Sequence, residues 1–282
     1  MKPCIETIDF HGLEALRLNG PGASSAVISR LGGQVLSWIT ADGRERLFLS
    51  ERAVFDGSAP IRGGIPVCFP QFAALGDLPK HGFVRTRAWS VTVQRCADDF
   101  ALAAMEIADD AETRRLWPHA FRAEITLVLG VDRIDVELCV ENTGAEAFAF
   151  TGALHSYLRV AEVENAALEG LHGHEYLDAA NGNRIVRETG TEIVVDSAVD
   201  RVYCDVRRPQ LLRPGRLGLG IRSQGFPDVV VWNPGVDACG KLIDMPADGW
   251  RHMLCVEAAA VRNPVTVAAG EEWCGRQTLL AV

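Results

Sequence analysis

Residues 134–141 have the sequence Ile-Asp-Val-Glu-Leu-Cys-Val-Glu, in which apolar side chains alternate with charged or small ones. Successive side chains of a β-strand point to opposite faces, so this alternation predicts a strand with one buried face. A second apolar segment, 125–129, precedes it, and the Gly-Val-Asp-Arg at 130–133 suits a hairpin turn. The stretch from 125 to 141 therefore predicts two antiparallel neighbours in a sheet.

Short segments of the same kind recur along the chain, with Gly, Pro, Asn and Asp between them to form turns. Further strands are predicted at 25–28, 34–38, 89–94, 100–107, 193–195, 229–232, 253–256 and 273–280. Helical periodicity is nearly absent, and no low-complexity linker or shift in composition divides the chain. Many short strands with polar turns predict an all-β sandwich or barrel, and we expect one domain spanning residues 1–282.

The bulk composition argues against several classes of protein. The net charge is -9, with no basic tail and no run of Lys or Arg, which argues against a nucleic-acid surface or a polybasic membrane patch. Residues 1–18 lack the apolar core of a signal peptide, and no segment approaches the roughly 20 apolar residues of a membrane span. The eight cysteines are scattered without a Cys-x-x-Cys pair, which predicts free, mostly buried thiols in a reducing cytoplasm.

One region, 60–87, departs from the strand pattern because it is rich in Gly, Pro and basic residues. Proline limits ladder pairing, so we expect this segment to cross the mouth of a sheet, where sites are commonly built. Arg62 precedes two glycines and could face a ligand, although a tight turn with a solvated arginine is the simpler interpretation. Lys80, His81 and Arg85 could complete an anion pocket with Arg62, or form a charged surface loop.

Two other titratable residues lie in apolar surroundings. His155 is the third residue of Ala-Leu-His-Ser-Tyr-Leu at 153–158, and Glu257 directly follows Met-Leu-Cys-Val at 253–256. A lone histidine in such a strand is more often a hydrogen-bonded core residue than a catalyst. Glu257 could equally be exposed at the end of its strand, because burial of an unpaired carboxylate is costly. Both interpretations stay open on these residues alone.

A possible metal site is the sequence His-Gly-His-Glu at 172–175. His172 and His174 would face the same side of a strand and could bind a metal together. No third ligand is evident, and residues 169–183 have the composition of a polar loop. We therefore predict no metal site.

Several segments taken together carry a family resemblance. The early ones are Arg-Gly-Gly-Ile-Pro at 62–66, Phe-Pro-x-Phe at 69–72, Leu-Pro-Lys-His-Gly-Phe-x-Arg at 78–85 and Trp-Pro-His-x-Phe at 117–121. The later ones are Ala-Leu-His-Ser-Tyr at 153–157, Asp-Arg-Val-Tyr at 200–203, Val-Trp-Asn-Pro at 231–234, Cys-Val-Glu at 255–257, and 270–277 with Trp273 and Gln277. In this order they resemble the aldose 1-epimerase superfamily, specifically its hexose-6-phosphate mutarotase (glucose-6-phosphate 1-epimerase) branch. The family often has a tryptophan and a glycine near 69–72, where this chain has Gln71 and Ala73.

The resemblance implies a galactose mutarotase-like fold, a large two-sheet antiparallel β-sandwich with an open cleft. It implies that His155 is a general acid and Glu257 a general base. The predicted substrate-binding residues are Arg62, Lys80, His81, Arg85 and Asp200.

The implied activity is exchange between the α and β anomers of glucose 6-phosphate or a related sugar phosphate. An imidazole and a carboxylate suit the two proton transfers that ring opening and closure need, with no metal, nucleotide or other cofactor. Two alternatives remain: a mutarotase for unphosphorylated aldoses, and a non-catalytic carbohydrate-binding sandwich. The basic cluster favours the phosphorylated sugar. We expect an isomerase that is a cytoplasmic monomer and binds neither nucleic acid nor membrane.

Overall fold

The computed structural model describes residues 2–213 and 218–282, which form 21 β-strands and two short α-helices. The first eleven strands are β1 (Cys4–Phe10), β2 (Leu13–Asn19), β3 (Ser25–Ser29), β4 (Val35–Ile39), β5 (Val67–Cys68), β6 (Ser90–Cys96), β7 (Ala101–Ala108), β8 (Phe121–Leu129), β9 (Arg133–Asn142), β10 (Phe148–Leu154) and β11 (Tyr157–Arg159). The other ten are β12 (Ala167–Glu169), β13 (Glu175–Asp178), β14 (Arg184–Arg187), β15 (Glu192–Val194), β16 (Val199–Tyr203), β17 (Gln210–Arg213), β18 (Leu219–Gln224), β19 (Asp228–Asn233), β20 (Met253–Val267) and β21 (Glu272–Ala281). The helices are α1 (Ala111–Leu116) and α2 (Gly235–Cys239).

Two large antiparallel sheets confirm the predicted all-β sandwich. The nine-stranded sheet has the order β15-β12-β17-β18-β21-β9-β8-β7-β6. The eight-stranded sheet has the order β14-β13-β16-β19-β20-β10-β5, with β11 also paired to β20. Strands β1 to β4 form a further four-stranded sheet, which contacts β6, β7 and β8 and was not predicted.

The predicted hairpin at 125–141 is formed by β8 and β9. The two strands are antiparallel, with Leu129 opposite Ile134, and the Gly130 amide donates to the Arg133 carbonyl at 2.8 Å to close the turn. The four apolar side chains of β9 between Ile134 and Val140 are at most 1% exposed. The alternation in the sequence therefore corresponds directly to one buried face.

One prediction about an irregular segment needs correction. Residues 169–183 are not only a polar loop, because β13 lies within them and pairs with β14 and β16. This strand buries Tyr176 and Asp178 rather than two apolar side chains, so its pattern does not indicate a strand.

Helix α1 has no helical periodicity to detect because it is so short, and it begins where the Asp110 side chain accepts hydrogen bonds from the Glu112 and Thr113 amides. In the described part of the chain, no helix has both the length and the apolar character needed to cross a membrane.

The prediction of free thiols is wrong for Cys139 and Cys274. They lie opposite each other on β9 and β21, with 4.1 Å between their Cα atoms, and form a disulfide. Their separation of 135 residues gives no signal in the sequence, because only the strand order brings them together. The other six cysteines are unpaired, and of these Cys68, Cys239 and Cys255 are buried.

The two faces of the eight-stranded sheet have different surroundings. Val256 on the inner face packs into the core between the large sheets. Gln277 of β21 crosses this core, where its amide nitrogen donates to the Val256 carbonyl at 3.0 Å and its oxygen accepts from the Ser156 hydroxyl. Ala153 and Val230 on the outer face belong to a separate, smaller cluster. The outer face is the one that carries the candidate site.

Candidate active site

Three predicted site residues lie on the outer face of the eight-stranded sheet. His155 directly follows β10, Glu257 lies in β20, and Asp200 lies in β16. The neighbours Ser156 and Val256 bond with Gln277 in the core. Because side chains alternate along a strand, His155 and Glu257 are directed to the opposite side, where they line one cleft with Asp200.

The segment 60–87 brings the other predicted residues to this cleft. Its two glycines after Arg62 allow a close approach to neighbouring backbone. A Cβ added to Gly63 would lie 2.4 Å from the Phe48 carbonyl oxygen, and one on Gly64 would lie 2.1 Å from that of Val35. Both residues also have positive φ angles, of 117° and 61°. Only glycine fits these positions without displacing the loop and the arginine that precedes it.

His155 and Glu257 form a buried pair on the floor of the cleft. His155 Nδ1 lies 3.4 Å from Glu257 Oε1, and the two residues are 7% and 1% exposed. Within the described residues, His155 Nδ1 and Glu257 Oε2 have no hydrogen-bond partner. Buried polar atoms are rarely left unpaired, so these two are available to a ligand.

The surroundings shift the pKa values of this pair in opposite directions. Burial raises the pKa of Glu257 well above its ordinary value, and the nearby Asp200 carboxylate raises it further. Burial lowers the pKa of His155, and the positive charges of Arg85 and Arg62 lower it further. Both shifts favour the uncharged forms, with Glu257 protonated and His155 unprotonated. Groups with strongly shifted pKa values in a cleft are candidates for proton exchange with a substrate.

Aromatic contacts hold the His155 ring. Tyr157 stacks on it with 4.8 Å between ring centroids and 9° between the planes, and Trp232 meets it edge-on at 5.9 Å. Both aromatic residues lie within segments of the family resemblance, but the sequence assigned them no role. Strand alternation could have indicated both residues. Tyr157 lies two residues from His155, and Trp232 lies on β19, the strand next to the one that carries Glu257.

His81 is held in a left-handed backbone conformation, with φ 64°. Its Nδ1 accepts a hydrogen bond from the Ala73 amide at 3.3 Å and lies 3.2 Å from Cys68 Sγ. Because Nδ1 is an acceptor, we assign the ring proton to Nε2. Burial, with the charges of Arg85 and then Lys80, lowers the pKa of His81 to about 3, so the imidazole is neutral and acts as an N–H donor.

The cleft has two lobes that share Arg62, Lys80, His81 and His155. The cationic lobe, defined by Arg62, Lys80 and Arg85, has a volume of about 180 Å³. The acid–base lobe, defined by His155, Glu257 and Asp200, has a volume of about 90 Å³. All seven residues predicted for the site therefore line one continuous cleft.

The two arginines of the cationic lobe differ in their partners. Arg62 contacts the Asp244 carboxylate through Nε and Nη2, and its Nη1 donates to the Tyr157 hydroxyl at 3.0 Å. Arg85 donates to the Lys80 carbonyl at 2.6 Å and makes no ion pair in the part of the chain that the structure describes. Asp244 was not predicted, and its distance of 182 residues from Arg62 leaves no signal in the sequence.

The two departures from the family pattern, Gln71 and Ala73, lie in different positions relative to the cleft. Gln71 points away from the acid–base lobe and braces the loop, donating to the Ala73 and Leu78 carbonyls and accepting from the Leu78 amide. Ala73 lines the acid–base lobe. Only the second substitution can therefore alter contacts with a ligand directly.

Two groups of side chains among residues 2–213 and 218–282 could in principle hold a metal ion. One contains Cys139 and Cys274, whose sulfurs are already joined in a disulfide. The other is His155, Cys255 and Glu257, with ligand atoms within 4.8 Å of one another. A metal there would occupy the atoms of the acid–base pair. His172 and His174 belong to neither group.

Comparison with known proteins gives a consistent relationship. Residues 14–279 match the family model of aldose 1-epimerase. A Cenchrus ciliaris protein described as a candidate glucose-6-phosphate 1-epimerase is 36% identical over 291 residues, covering 96% of this chain and 85% of that protein. An Escherichia coli protein with the same description is 33% identical over 233 residues, covering 81% of this chain and 77% of that one. The crystal structure of a candidate mutarotase from Salmonella typhimurium has a TM-score of 0.90 at 26% identity, covering 100% of this chain and 94% of the other. The chain belongs to the aldose 1-epimerase family.

Proposed function

We propose that this protein is a hexose-6-phosphate mutarotase, an isomerase that interconverts the α and β anomers of glucose 6-phosphate or a closely related sugar phosphate. The observation that carries the proposal is the single cleft in which the buried His155–Glu257 pair adjoins a lobe with three cationic side chains. The names of the Cenchrus ciliaris and Escherichia coli relatives give the same substrate.

The proposed reaction starts from the form of the pair in which Glu257 is ionised and His155 is protonated, which carries the same number of protons as the uncharged pair. In this form Glu257 takes the proton of the anomeric hydroxyl while His155 gives a proton to the ring oxygen. The bond between C1 and the ring oxygen breaks, and C1 becomes the carbon of an aldehyde. Rotation about the C1–C2 bond presents the other face of the aldehyde to the freed hydroxyl. On closure His155 recovers its proton and Glu257 returns one to the anomeric oxygen, so no proton or electron is gained or lost. Each well-placed proton-transfer group contributes roughly 10²–10⁴-fold to such a rate.

The cationic lobe is proposed to hold the phosphate. Arginine forks and a lysine ammonium are suited to phosphate oxygens, and a protein of net charge -9 needs local positive charge to attract an anionic sugar. His81, with its Nε2 proton, and Asp200, as an acceptor, are proposed to bind sugar hydroxyl groups in the acid–base lobe.

The setting of the enzyme is part of the same proposal. We infer a single domain of residues 1–282 that works as a cytoplasmic monomer. It binds neither nucleic acid nor membrane and uses no metal or other cofactor. Gel filtration with light scattering tests the monomer, and limited proteolysis tests the single domain.

Exchange NMR on a panel of free and phosphorylated hexoses tests the proposal. We expect the protein to accelerate α/β exchange of a hexose 6-phosphate far more than that of the same free hexose. Faster exchange of the free sugar would favour the plain aldose mutarotase. Binding without any acceleration would instead identify a carbohydrate-binding sandwich.

A further inference from the structure

Arg62 in the cationic lobe is held by two of its own hydrogen bonds, from Nε and Nη1, and by an ion-pair contact through Nη2. Its Nε and Nη2 each lie 3.1 Å from Asp244 Oδ2, and its Nη1 lies 3.0 Å from the Tyr157 hydroxyl. A guanidinium has five N–H groups, and Arg62 uses two of them in these hydrogen bonds, so the two donor atoms Nη1 and Nη2 both keep N–H groups for a ligand. The contacts with Asp244 and Tyr157 fix the plane in which these two donors lie.

Asp244 is itself anchored on both sides. The Ser50 hydroxyl donates to the Asp244 carbonyl at 2.6 Å, and the Ser50 amide donates to the Arg62 carbonyl at 3.0 Å. The next residue, Met245, is 1% exposed and packs in the core. Ser50 therefore joins the backbones of Arg62 and Asp244, while their side chains form the ion pair.

This arrangement has a cost for an anionic ligand, because Asp244 also lines the cationic lobe. A carboxylate in the lobe repels a phosphate. It also reduces the net charge of the lobe from the three positive charges of Arg62, Lys80 and Arg85 to two. Orientation of Arg62 and repulsion of the ligand thus act in opposite directions. A carboxylate that served charge balance alone would weaken phosphate binding.

We propose that Asp244 is a positioning residue for the substrate phosphate, acting through Arg62, and that this orienting effect exceeds its own repulsion of the anion. The inference rests on the proposed function, because it assumes that the cationic lobe binds the phosphate of a hexose 6-phosphate. It makes a distinctive prediction: removal of the Asp244 charge weakens phosphate binding when Arg62 is present and does not weaken it when Arg62 is absent.

A double-mutant cycle tests this prediction, using Asp244→Asn, Arg62→Ala and the double variant. We measure kcat and KM for glucose 6-phosphate and for glucose, and calorimetric binding of inorganic phosphate. Asp244→Asn should raise KM for glucose 6-phosphate roughly tenfold, about the effect of one charge-assisted hydrogen bond, and weaken phosphate binding similarly. Its kcat, and its use of glucose, should stay close to wild type. In the Arg62→Ala background the same substitution should leave phosphate binding unchanged or strengthen it.

The chain offers a matched control in Glu188→Gln. Glu188 pairs with Arg201 at 3.2 Å and also accepts from the Tyr203 hydroxyl, and the exposures of this ion pair, 12% and 27%, resemble the 14% and 24% of Asp244 and Arg62. Neither Glu188 nor Arg201 lines the cleft. Glu188→Gln should therefore leave phosphate binding unchanged.

Three outcomes would overturn the inference. A lower KM in Asp244→Asn would mean that repulsion dominates. Equal losses in kcat and in the use of glucose would mean that Asp244 only maintains the loop. The proposed function fails separately, if wild-type protein binds phosphate but does not accelerate sugar exchange. If wild-type protein accelerates exchange of glucose 6-phosphate but does not bind inorganic phosphate, the inference falls and the proposed function stands.

Discussion

Arg85→Ala is the sharpest test of the phosphate assignment. Arg85 lies in the cationic lobe, and its one described hydrogen bond goes to the Lys80 carbonyl. Burial lowers the pKa of the guanidinium, which shows that its charge is desolvated without a carboxylate to offset it. Its removal therefore leaves no buried acid unpaired, and the folded protein should be at least as stable as wild type.

The expected loss can be worked from this geometry. A hydrogen bond to a charged group contributes roughly 1.5–3 kcal/mol, which corresponds to about 10- to 150-fold in binding. If Arg85 contacts the substrate phosphate, KM for hexose 6-phosphate should rise within that range while kcat changes little. The free hexose has no phosphate for Arg85 to contact, so its α/β exchange should change much less.

Exchange NMR with both substrates measures the difference directly. Arg87→Ala is the matched control, because Arg87 lies two residues away but pairs with Asp110 and Glu112 outside the cleft. It should behave as wild type with both sugars. Equal losses on the free and phosphorylated hexose in Arg85→Ala would refute the phosphate assignment. Arg85 would then hold the sugar ring or the loop.

Three further predictions concern the acid–base pair and the expected absence of a metal. Glu257→Gln and His155→Ala should each lower kcat by about 10²–10⁴-fold in a folded protein, and the double variant should cost much less than the product of the two. Near-normal turnover in either single variant would remove that residue from the mechanism. A base works in its ionised form and the pKa of Glu257 is raised, so kcat should fall as the pH drops through a value above 4.5. Asp200→Asn removes a carboxylate that raises this pKa, so a pH–rate profile should show the acid limb at lower pH; an unmoved limb would contradict the assignment. Dialysis against EDTA should leave activity intact, whereas loss that zinc restores would require a metal site, with His172 and His174 again candidates.

The sequence predicted the parts of the structure that depend on local alternation. The strand at 134–141 has one buried face and one half-buried face that carries charged residues, so its pattern is unambiguous, and β8 and β9 form as expected. The short strand β13 buries Tyr176 and Asp178 instead, and its pattern carries no such signal. The disulfide between Cys139 and Cys274 depends on the order of strands in the sheet, which alternation does not specify.

The candidate site shows the same division. Arg62, His155 and Glu257 were found because ordered segments of the sequence resemble a family, and no single segment would have been sufficient. Asp244 lies outside those segments and meets Arg62 only through the fold. Its contribution is a matter of distance and orientation, which residue type does not reveal.

The cationic lobe is formed mainly by the segment 60–87, and the acid–base pair lies on the eight-stranded sheet. Evolution can therefore change substrate charge and proton chemistry separately. Gln277, across the core, bonds to Ser156 and Val256, the neighbours of His155 and Glu257. Substitutions at these neighbours would therefore disturb both large sheets. The positive charges of Arg62, Lys80 and Arg85 all come from one contiguous segment, 60–87. A related protein can therefore evolve specificity for a sugar of different charge through substitutions in that segment, while the acid–base pair stays unchanged. Exchanging this segment between relatives is a practical way to redesign substrate choice.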